Sequence, residues 1–292
     1  MSKKYLDVNT LKYMLYDVHK LEKLLIKERF QDHDKESMDM FLESTKDFAD
    51  RELYPYFKEM DDNPAYYKDG KVYVHDQVKT MMYKGGELGI ISASFDYEVG
   101  GMQIPLMVHT AVMYILDAAN NHLPGYAGLT QGAAELIIHF ANKQLNETYV
   151  SNMLSGQWGG TMCLTESQAG SSLSDIVTKA TPTDEDFYNI SGQKIFISGG
   201  DNQFSDNIVH LVLARIEGAP KGTKGISLFI VPKNRPKTDD SLTHNDVTTI
   251  ADFQKLGQRG YCTTHLGFGD VDDCRGWLVG EANQGLNYMF LM

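Results

Sequence analysis

The stretch MCLTESQAGSS, residues 162–172, ends an apolar run and continues into small polar residues. Backbone amides just beyond a strand end, with the hydroxyls of Thr165 and Ser171, can donate hydrogen bonds to the carbonyl-type acceptors of a ring system. Ala169 and Gly170 are small enough to let a ligand approach the backbone closely. The same pattern also fits a plain strand-to-loop connection, so the residues alone leave both interpretations open.

Upstream of this stretch, the sequence has the periodicity of helices. Apolar residues recur three to four positions apart over residues 11–25 and 38–49, and the run 106–121 is apolar nearly all round. Thr130 is a candidate N-cap for a helix over 131–142, and Gly156 is a candidate C-cap for the helix before it. We therefore predict a helical domain over residues 1–157.

Downstream of Gly156, the apolar residues alternate with a period of two, which is typical of strands. The segment FYNISGQKIFIS, residues 187–198, predicts a hairpin that turns at Ser191 and Gly192. Further strands are predicted from NIVHLVLARI (207–216), KGISLFIVPK (224–233), DFQKLGQRG (252–260) and TTHLGFGDV (263–271). Residues 158–282 thus form a second, strand-rich domain with a polar loop at 234–246. Residues 283–292 read as the start of an apolar helix that is cut short.

Composition and charge exclude several classes of function. The 292 residues carry 39 acidic and 27 basic side chains, and this net charge of −12 argues against a nucleic-acid or anionic-membrane surface. No run of about 18 apolar residues predicts a membrane span. The start, MSKKYLDVNT, lacks the apolar core of a signal peptide, and the three cysteines lack metal-site spacing. We therefore expect a cytoplasmic protein.

Several common catalytic motifs are missing from the sequence. It contains no phosphate-binding glycine loop, no Gly-x-Ser-x-Gly nucleophile motif and no His-x-x-x-His pair, so no metal site is predicted. His109 and His139 lie in apolar helical stretches, where a histidine usually serves the packing. Phe196 and Ser198 fit an ordinary core aromatic and an ordinary turn residue as well as a site.

Four ordered motifs resemble the acyl-CoA dehydrogenase family. MCLTESQAGSS is similar to the family signature, a strand followed by Thr-Glu-Pro-x-Ala-Gly-Ser-Asp, and GQKIFISGG (192–200) is similar to its second flavin segment. KGISLFIVPK and GWLVGEANQGL (276–286) follow in the family's order. The resemblance covers essentially the whole chain. It is closest to the long subgroup of 3-methylmercaptopropionyl-CoA dehydrogenases, through LKYMLYDVHKLEKLL (11–25) and NIVHLVLARIEGAPKGTKGISLF (207–229).

The resemblance implies an α+β fold with a helical N-terminal domain and a β-barrel middle domain, followed in the family by a four-helix C-terminal domain that this chain does not match. It also implies FAD as cofactor. Thr165 would hydrogen-bond the pyrimidine edge of the flavin, Phe196 would stack beside it, and Ser198 would lie near its N5. Ser171 would approach the flavin phosphate or the pantetheine arm of the substrate. The implied cofactor-binding residues are Met162, Cys163, Leu164, Thr165, Gly170, Ser171, Phe196, Ile197 and Ser198.

The chain departs from the family pattern at two positions of the signature and beyond its last residue. Ser167 replaces the family's proline, which loosens a turn, and Ser172 replaces an aspartate. The family's catalytic base is a glutamate of the C-terminal domain, so the resemblance assigns no catalytic residue here. Glu166 lies in the signature, but the family does not use it as a base.

The implied function is α,β-dehydrogenation of an acyl-CoA thioester, with electrons passing to electron-transfer flavoprotein and with a homo-oligomer as the assembly of the full-length enzyme. This chain alone is expected to be inactive. Two alternatives stay open. One is an acyl-CoA oxidase, in which the reduced flavin meets oxygen. The other is a non-catalytic flavin- or acyl-CoA-binding module, or one half of a split enzyme.

Overall fold

The computed structural model describes residues 5–239 and 241–292. Its helices are α1 Val8–Tyr13, α2 Glu22–Leu25, α3 Lys35–Phe48, α4 Phe57–Asp62, α5 Gln77–Glu87, α6 Leu106–Asn120, α7 Pro124–Phe140, α8 Lys143–Leu154 and α9 Gly285–Met289. Its strands are β1 Tyr66–Lys68, β2 Lys71–Tyr73, β3 Trp158–Cys163, β4 Lys179–Pro182, β5 Tyr188–Ser198, β6 Asn207–Ile216, β7 Ile226–Pro232, β8 Asn234–Pro236, β9 Leu242–His244, β10 Val247–Asp252, β11 Thr263–Phe268 and β12 Arg275–Leu278.

The helical half is built around α3, α6 and α7. Asp34 caps α3 by accepting from Ser37 N at 2.8 Å, while Asp34 N donates to the Ser37 hydroxyl, so two backbone donors at the start of the helix have partners. The inward face of α3 includes Met38 and Leu42, both with almost no exposed surface. This face packs against α6. Although α6 is apolar nearly all round, one of its faces is exposed, along Leu106, Thr110, Tyr114 and Asp117.

The predicted cap at Thr130 is wrong. Helix α7 begins six residues earlier, at Pro124, because proline suits the first helical position and lacks an N–H that would need a partner there. Thr130 instead lies inside α7, where its hydroxyl donates to Tyr126 O at 2.7 Å and accepts from Gly160 N at 2.9 Å. It therefore joins the helical half to β3.

Five strands close into a barrel, which confirms the predicted α+β class and the β-barrel fold. The ring runs β5–β12–β7–β6–β4 and returns to β5, with the β6–β4 contact parallel and the others antiparallel. Outside the ring, β3 pairs with β6 in parallel, and β11 and then β10 extend the sheet from β5. The buried side chains of this part include Cys163, Ile190, Ile197, Val212, Phe229, Val231 and Phe268.

The predicted hairpin at Ser191 and Gly192 is wrong, because β5 runs through both residues as one strand. A glycine is needed at position 192 because Thr178 packs closely against the backbone there. Its φ is +150°, and a Cβ there would lie 2.6 Å from Thr178 Oγ1. The glycine lets β5 pass close to Thr178, the residue just before β4, so that β4 can pair with β5.

The predicted strand at residues 252–260 is also wrong. Strand β10 ends at Asp252, and the following loop is held against the helical half by side chains rather than by a ladder. His122 Nδ1 accepts from Gly260 N at 3.2 Å, Gln258 Nε2 donates to Asn121 O at 3.2 Å, and Tyr126 Oη accepts from Cys262 N at 3.1 Å. The predicted polar loop at 234–246 includes the short antiparallel pair β8–β9.

The elements follow the predicted order, with the last long helix, α8, ending three residues before the predicted domain boundary at 157. That boundary, and the assignment of residues 283–292 to the start of a truncated C-terminal helix, stay predictions. No helix within residues 5–239 and 241–292 combines the length and the apolar character that crossing a membrane requires.

We predict that Gly160→Ala destabilises the protein, because the new methyl carbon would lie 2.9 Å from Thr130 Cα and from Ala133 Cβ. The expected loss in the free energy of unfolding is about 2 kcal/mol, since strand and helix must separate. Urea unfolding measures it. Gly257→Ala is the control, because no atom lies within 4 Å of its added Cβ. Equal stability of the two variants would contradict this packing.

Candidate functional site

The structure brings the two predicted flavin segments together at one edge of the barrel. Beyond the end of β3, Thr165 O accepts from Ile195 N of β5 at 2.9 Å. Lys194 Nζ donates to Leu164 O at 3.1 Å. Residues 164–165 and 194–196 are therefore neighbours, although 30 positions separate them in the sequence.

A tight turn follows this contact. Glu166 N donates to Ala169 O at 2.9 Å, and Ala169 N donates to Glu166 O at 3.1 Å. The turn forms with Ser167 in place of the family's proline. Gly170 and Ser171 are exposed, and within the part of the chain that the structure describes the Ser171 hydroxyl has no hydrogen-bond partner. Both remain accessible to a ligand.

Glu166 is buried beneath the turn, with 4% of its surface exposed. Its Oε1 accepts from Lys194 Nζ at 2.7 Å, from the Thr178 hydroxyl at 2.6 Å and from Thr178 N at 3.1 Å. Its Oε2 accepts from Val177 N at 2.7 Å and from Gln168 Nε2 at 2.6 Å. Burial alone would raise the pKa of the carboxyl, but the Lys194 ammonium and these donors hold the pKa below its ordinary value. This carboxylate therefore has no free capacity to act as a base.

Phe196 lies on a β-bulge and is presented to the outside. Opposite β11, the register pairs Thr264 with Ile197 but Leu266 with Lys194, so β5 has one residue more than its partner between these pairs. Phe196 takes the extra position with a φ of +57°, which is rare for a bulky side chain. Its ring is 55% exposed and lies 4.5 Å from that of Phe253. Such strain at a bulge is a mark of functional sites.

The remaining predicted cofactor-binding residues differ in whether their side chains face the barrel core or the helical half. The side chains of Cys163 and Ile197 lie in the barrel core, so only their backbones can meet a ligand. Met162 and Leu164 are half-buried against the helical half. Ser198 is half-buried and pairs with Thr263 of β11, one residue past the buried Ile197.

Several backbone donors at this edge are free. Among residues 5–239 and 241–292, the N–H groups of Thr165, Gly170 and Ser171 make no hydrogen bond. The Thr165 N–H lies in the chain between the Leu164 carbonyl, which accepts from Lys194, and the exposed turn. The Thr165 N–H, the exposed Ser171 and the exposed Phe196 all belong to the two segments that meet at this edge. A cavity of about 340 Å³ near the start of α8, lined by residues that include Leu145, Phe187 and Trp277, contains none of the predicted residues.

Sequence reasoning missed Lys194 and Thr178, which donate hydrogen bonds to the buried Glu166 of the turn. A signal for Lys194 was present, because it falls four residues after Ile190 on the inward side of an alternating strand. A charged residue at an inward position needs a buried partner. It also missed Tyr261, which is 7% exposed and packs edge-on against the ring of Tyr126. No pattern in the sequence marks that tyrosine.

Two family models match the chain. The acyl-CoA dehydrogenase N-terminal domain matches residues 35–157, and the acyl-CoA dehydrogenase middle domain matches residues 161–271. The chain belongs to the acyl-CoA dehydrogenase family. The resemblance of the signature and the observed architecture thus agree with the family models.

Individual relatives point the same way. The chain is 38% identical to 3-methylmercaptopropionyl-CoA dehydrogenase of Ruegeria pomeroyi, over 80% of this chain and 39% of that protein. It is 33% identical to a butyryl-CoA dehydrogenase of Syntrophomonas wolfei, over 98% of this chain and 48% of that protein. The chain thus spans about half the length, or less, of the curated relatives it matches.

A solved structure extends the likeness to the fold. An acyl-CoA dehydrogenase of Bacillus anthracis complexed with FAD superposes with a TM-score of 0.70 at 22% identity, over 89% of this chain and 40% of that chain.

We predict that Glu166→Gln lowers the free energy of unfolding by about 3 kcal/mol at pH 7, because it leaves the Lys194 charge buried without its partner. The folded pKa of Glu166 lies below its ordinary value of 4.5, so its stabilisation is present above that pH and is lost as pH falls through the folded pKa. The gap between wild type and variant should therefore narrow below about pH 4.5.

Urea unfolding at pH 7, 5, 4 and 3 measures this gap. Glu185→Gln, which changes an exposed carboxylate, is the control and should differ little from wild type at every pH. A gap that stays constant or widens on acidification would show that the pKa of Glu166 is not lowered by folding.

Proposed function

We propose that this chain forms the flavin-binding side of a FAD-dependent acyl-CoA dehydrogenase that introduces a double bond between Cα and Cβ of an acyl-CoA thioester. One observation carries the proposal. The free Thr165 N–H and the strained, exposed Phe196 meet at one open edge, where the segments 162–171 and 194–198 join.

The residues at this edge fit a flavin. A flat ring needs an apolar side chain beside it and hydrogen-bond donors at its polar rim, and Phe196 and Thr165 N–H supply these. Gly170 lets the ligand approach closely, because even an added Cβ there would meet only Thr165 Cγ2, at 3.9 Å. The residues that would hold FAD are Met162, Cys163, Leu164, Thr165, Gly170, Ser171, Phe196, Ile197 and Ser198. FAD, when bound, supplies the acceptor for the hydride that leaves Cβ.

The groups at this edge, one backbone N–H and two side chains, have separate proposed roles. Thr165 N–H donates to the pyrimidine end of the ring, where negative charge gathers on reduction. Ser171 donates to a phosphate or to the pantetheine arm of the substrate. Phe196 covers the ring and excludes water beside Ser198.

The base that removes the α-proton comes from outside these segments. Glu166 is the one carboxylate within the segments 162–171 and 194–198. The Lys194 ammonium, the Thr178 hydroxyl and N–H, the Val177 N–H and the Gln168 amide occupy its oxygens. A base must reach the α-carbon and must have a lone pair free to accept the proton. The part of the enzyme that lies beyond this chain in its longer relatives is the proposed source.

Substrate and partners follow from the family. The relatives named above act, by their names, on butyryl-CoA and 3-methylmercaptopropionyl-CoA. We propose a short acyl-CoA as the substrate, electron-transfer flavoprotein as the electron acceptor and a homo-oligomer for the whole enzyme. The cytoplasmic location stays a prediction.

The isolated chain should bind FAD weakly and should not turn over. It carries the ring-side segments without the contacts and the base that the rest of the enzyme would add, and loss of a general base typically costs about 10²–10⁴-fold in rate. Flavin fluorescence during titration with FAD measures the binding, and anaerobic bleaching of the flavin by butyryl-CoA measures the turnover. No saturable FAD binding would refute the proposal. Bleaching at an enzymatic rate that Glu166→Gln abolishes would refute the assignment of the base.

Phe196→Gly should weaken FAD binding about tenfold, because it removes the ring that would stack beside the flavin. Stability should change by less than about 1 kcal/mol, since relief of the left-handed φ offsets the lost contact with Phe253. Asp69→Gly relieves a similar φ of +51° in the β1–β2 turn and is the matched control, with unchanged FAD affinity. Equal affinities in the two variants would remove Phe196 from the site.

A further inference from the structure

The proposed function does not use the buried ion pair beneath the turn. Lys194 has no exposed side-chain surface, and its ammonium donates to Glu166 Oε1 at 2.7 Å and to Leu164 O at 3.1 Å. Burying two charges costs free energy, and a well-packed apolar pair would serve stability as well or better. The position of the pair therefore calls for a reason beyond stability.

The bond from Lys194 to Leu164 O fixes the orientation of one peptide group. In a planar trans peptide, the C=O of one residue and the N–H of the next point in opposite directions. Because Leu164 C=O points inward to the Lys194 ammonium, Thr165 N–H must point away from it. This N–H is one of the donors that make no hydrogen bond among the described residues.

The next peptide is fixed by the same arrangement. Thr165 O accepts from Ile195 N, the residue directly after Lys194. Glu166 accepts from Val177 N, Thr178 N and the Thr178 hydroxyl. Because Glu166 also accepts from Lys194, it links residues 177–178, at the end of the loop, to the same ammonium. The ion pair thus sets the direction of the exposed donor and closes the loop around it.

We propose that Lys194 is a positioning residue of the flavin site, which holds Leu164 O so that Thr165 N–H faces the flavin, and that Glu166 holds Lys194 in place. This inference rests on the proposed function for the identity of the ligand. Neither side chain touches the ligand, so their effect is on the direction of a backbone donor.

A double-mutant cycle separates this role from plain stability. Glu166→Gln removes the charge and destabilises the protein. The carbonyl oxygen of the glutamine can still accept from the Lys194 amine and hold it against Leu164 O, so the FAD dissociation constant should stay within about threefold of wild type. Lys194→Met removes that donor and leaves the carboxylate unpaired, so both stability and affinity should fall.

The double variant, Lys194→Met with Glu166→Gln, is the decisive one. It removes both charges, so its urea midpoint should recover towards wild type. Its affinity for FAD should stay about tenfold weaker, because Leu164 O remains without its donor. Lys46→Met, which removes a buried lysine of α3 far from the turn in sequence, is the control and should lower stability while leaving the affinity unchanged.

Amide hydrogen exchange gives a readout that needs no flavin. In the double variant, Ile195 N–H should exchange at least about tenfold faster than in wild type, because its acceptor, Thr165 O, is no longer held in place. The control should leave this amide protected. Wild-type protection of Ile195 in the double variant would show that Lys194 does not fix the turn, and wild-type FAD affinity would overturn its role in the flavin site.

The two proposals fail in different ways. If wild type shows no saturable FAD binding, the proposed function fails, and protection of Ile195 alone decides whether Lys194 positions the turn. If wild type binds FAD and the double variant binds it equally well, the flavin site stands and the role of Lys194 in it is refuted.

Discussion

The ion pair of Lys194 and Glu166 joins the end of β3 to the middle of β5, and the geometry of the open edge depends on it. Two charges without water are tolerated because each is nearly saturated with partners, five donors on the carboxylate and a carbonyl as second acceptor for the ammonium. With its hydrogen-bonding groups nearly all occupied, the ion pair has few alternative conformations. It therefore specifies one shape for a turn whose own residues, Ser167, Gln168 and Gly170, would permit many.

The change of periodicity near residue 157 was enough to predict the α+β class, and the family resemblance predicted the barrel. Local patterns failed where tertiary contacts set the conformation. Ser191–Gly192 has the residues of a turn, but Gly192 is needed because Thr178 packs against it. The stretch 252–260 is predicted as a strand, yet its residues after Asp252 form a loop that His122 and Tyr126 hold from a different part of the fold.

The candidate site was predictable as segments but not as geometry. The motifs placed 162–171 and 196–198 at a flavin because those strings resemble a family, and the structure brings both to one edge. The bulge at Phe196 was not predictable, since it appears only when the register of β5 against β11 is known. The inward position of Lys194 could have been predicted from the alternation along β5. The burial of Tyr261 could not, because it follows from contact with Tyr126, which is distant in the sequence. The ligand roles of the nine residues remain proposals.

The central claim is that the edge formed by residues 162–171 and 194–198 holds the flavin. Amide resonances of the deuterated, 15N-labelled chain, followed during a titration with FAD, test this claim directly. The account predicts saturable shifts at Thr165, Ser171 and residues 196–198, with Thr165 the largest. Shifts confined to the cavity near Phe187 and Trp277, with Thr165 unmoved at saturation, would contradict it.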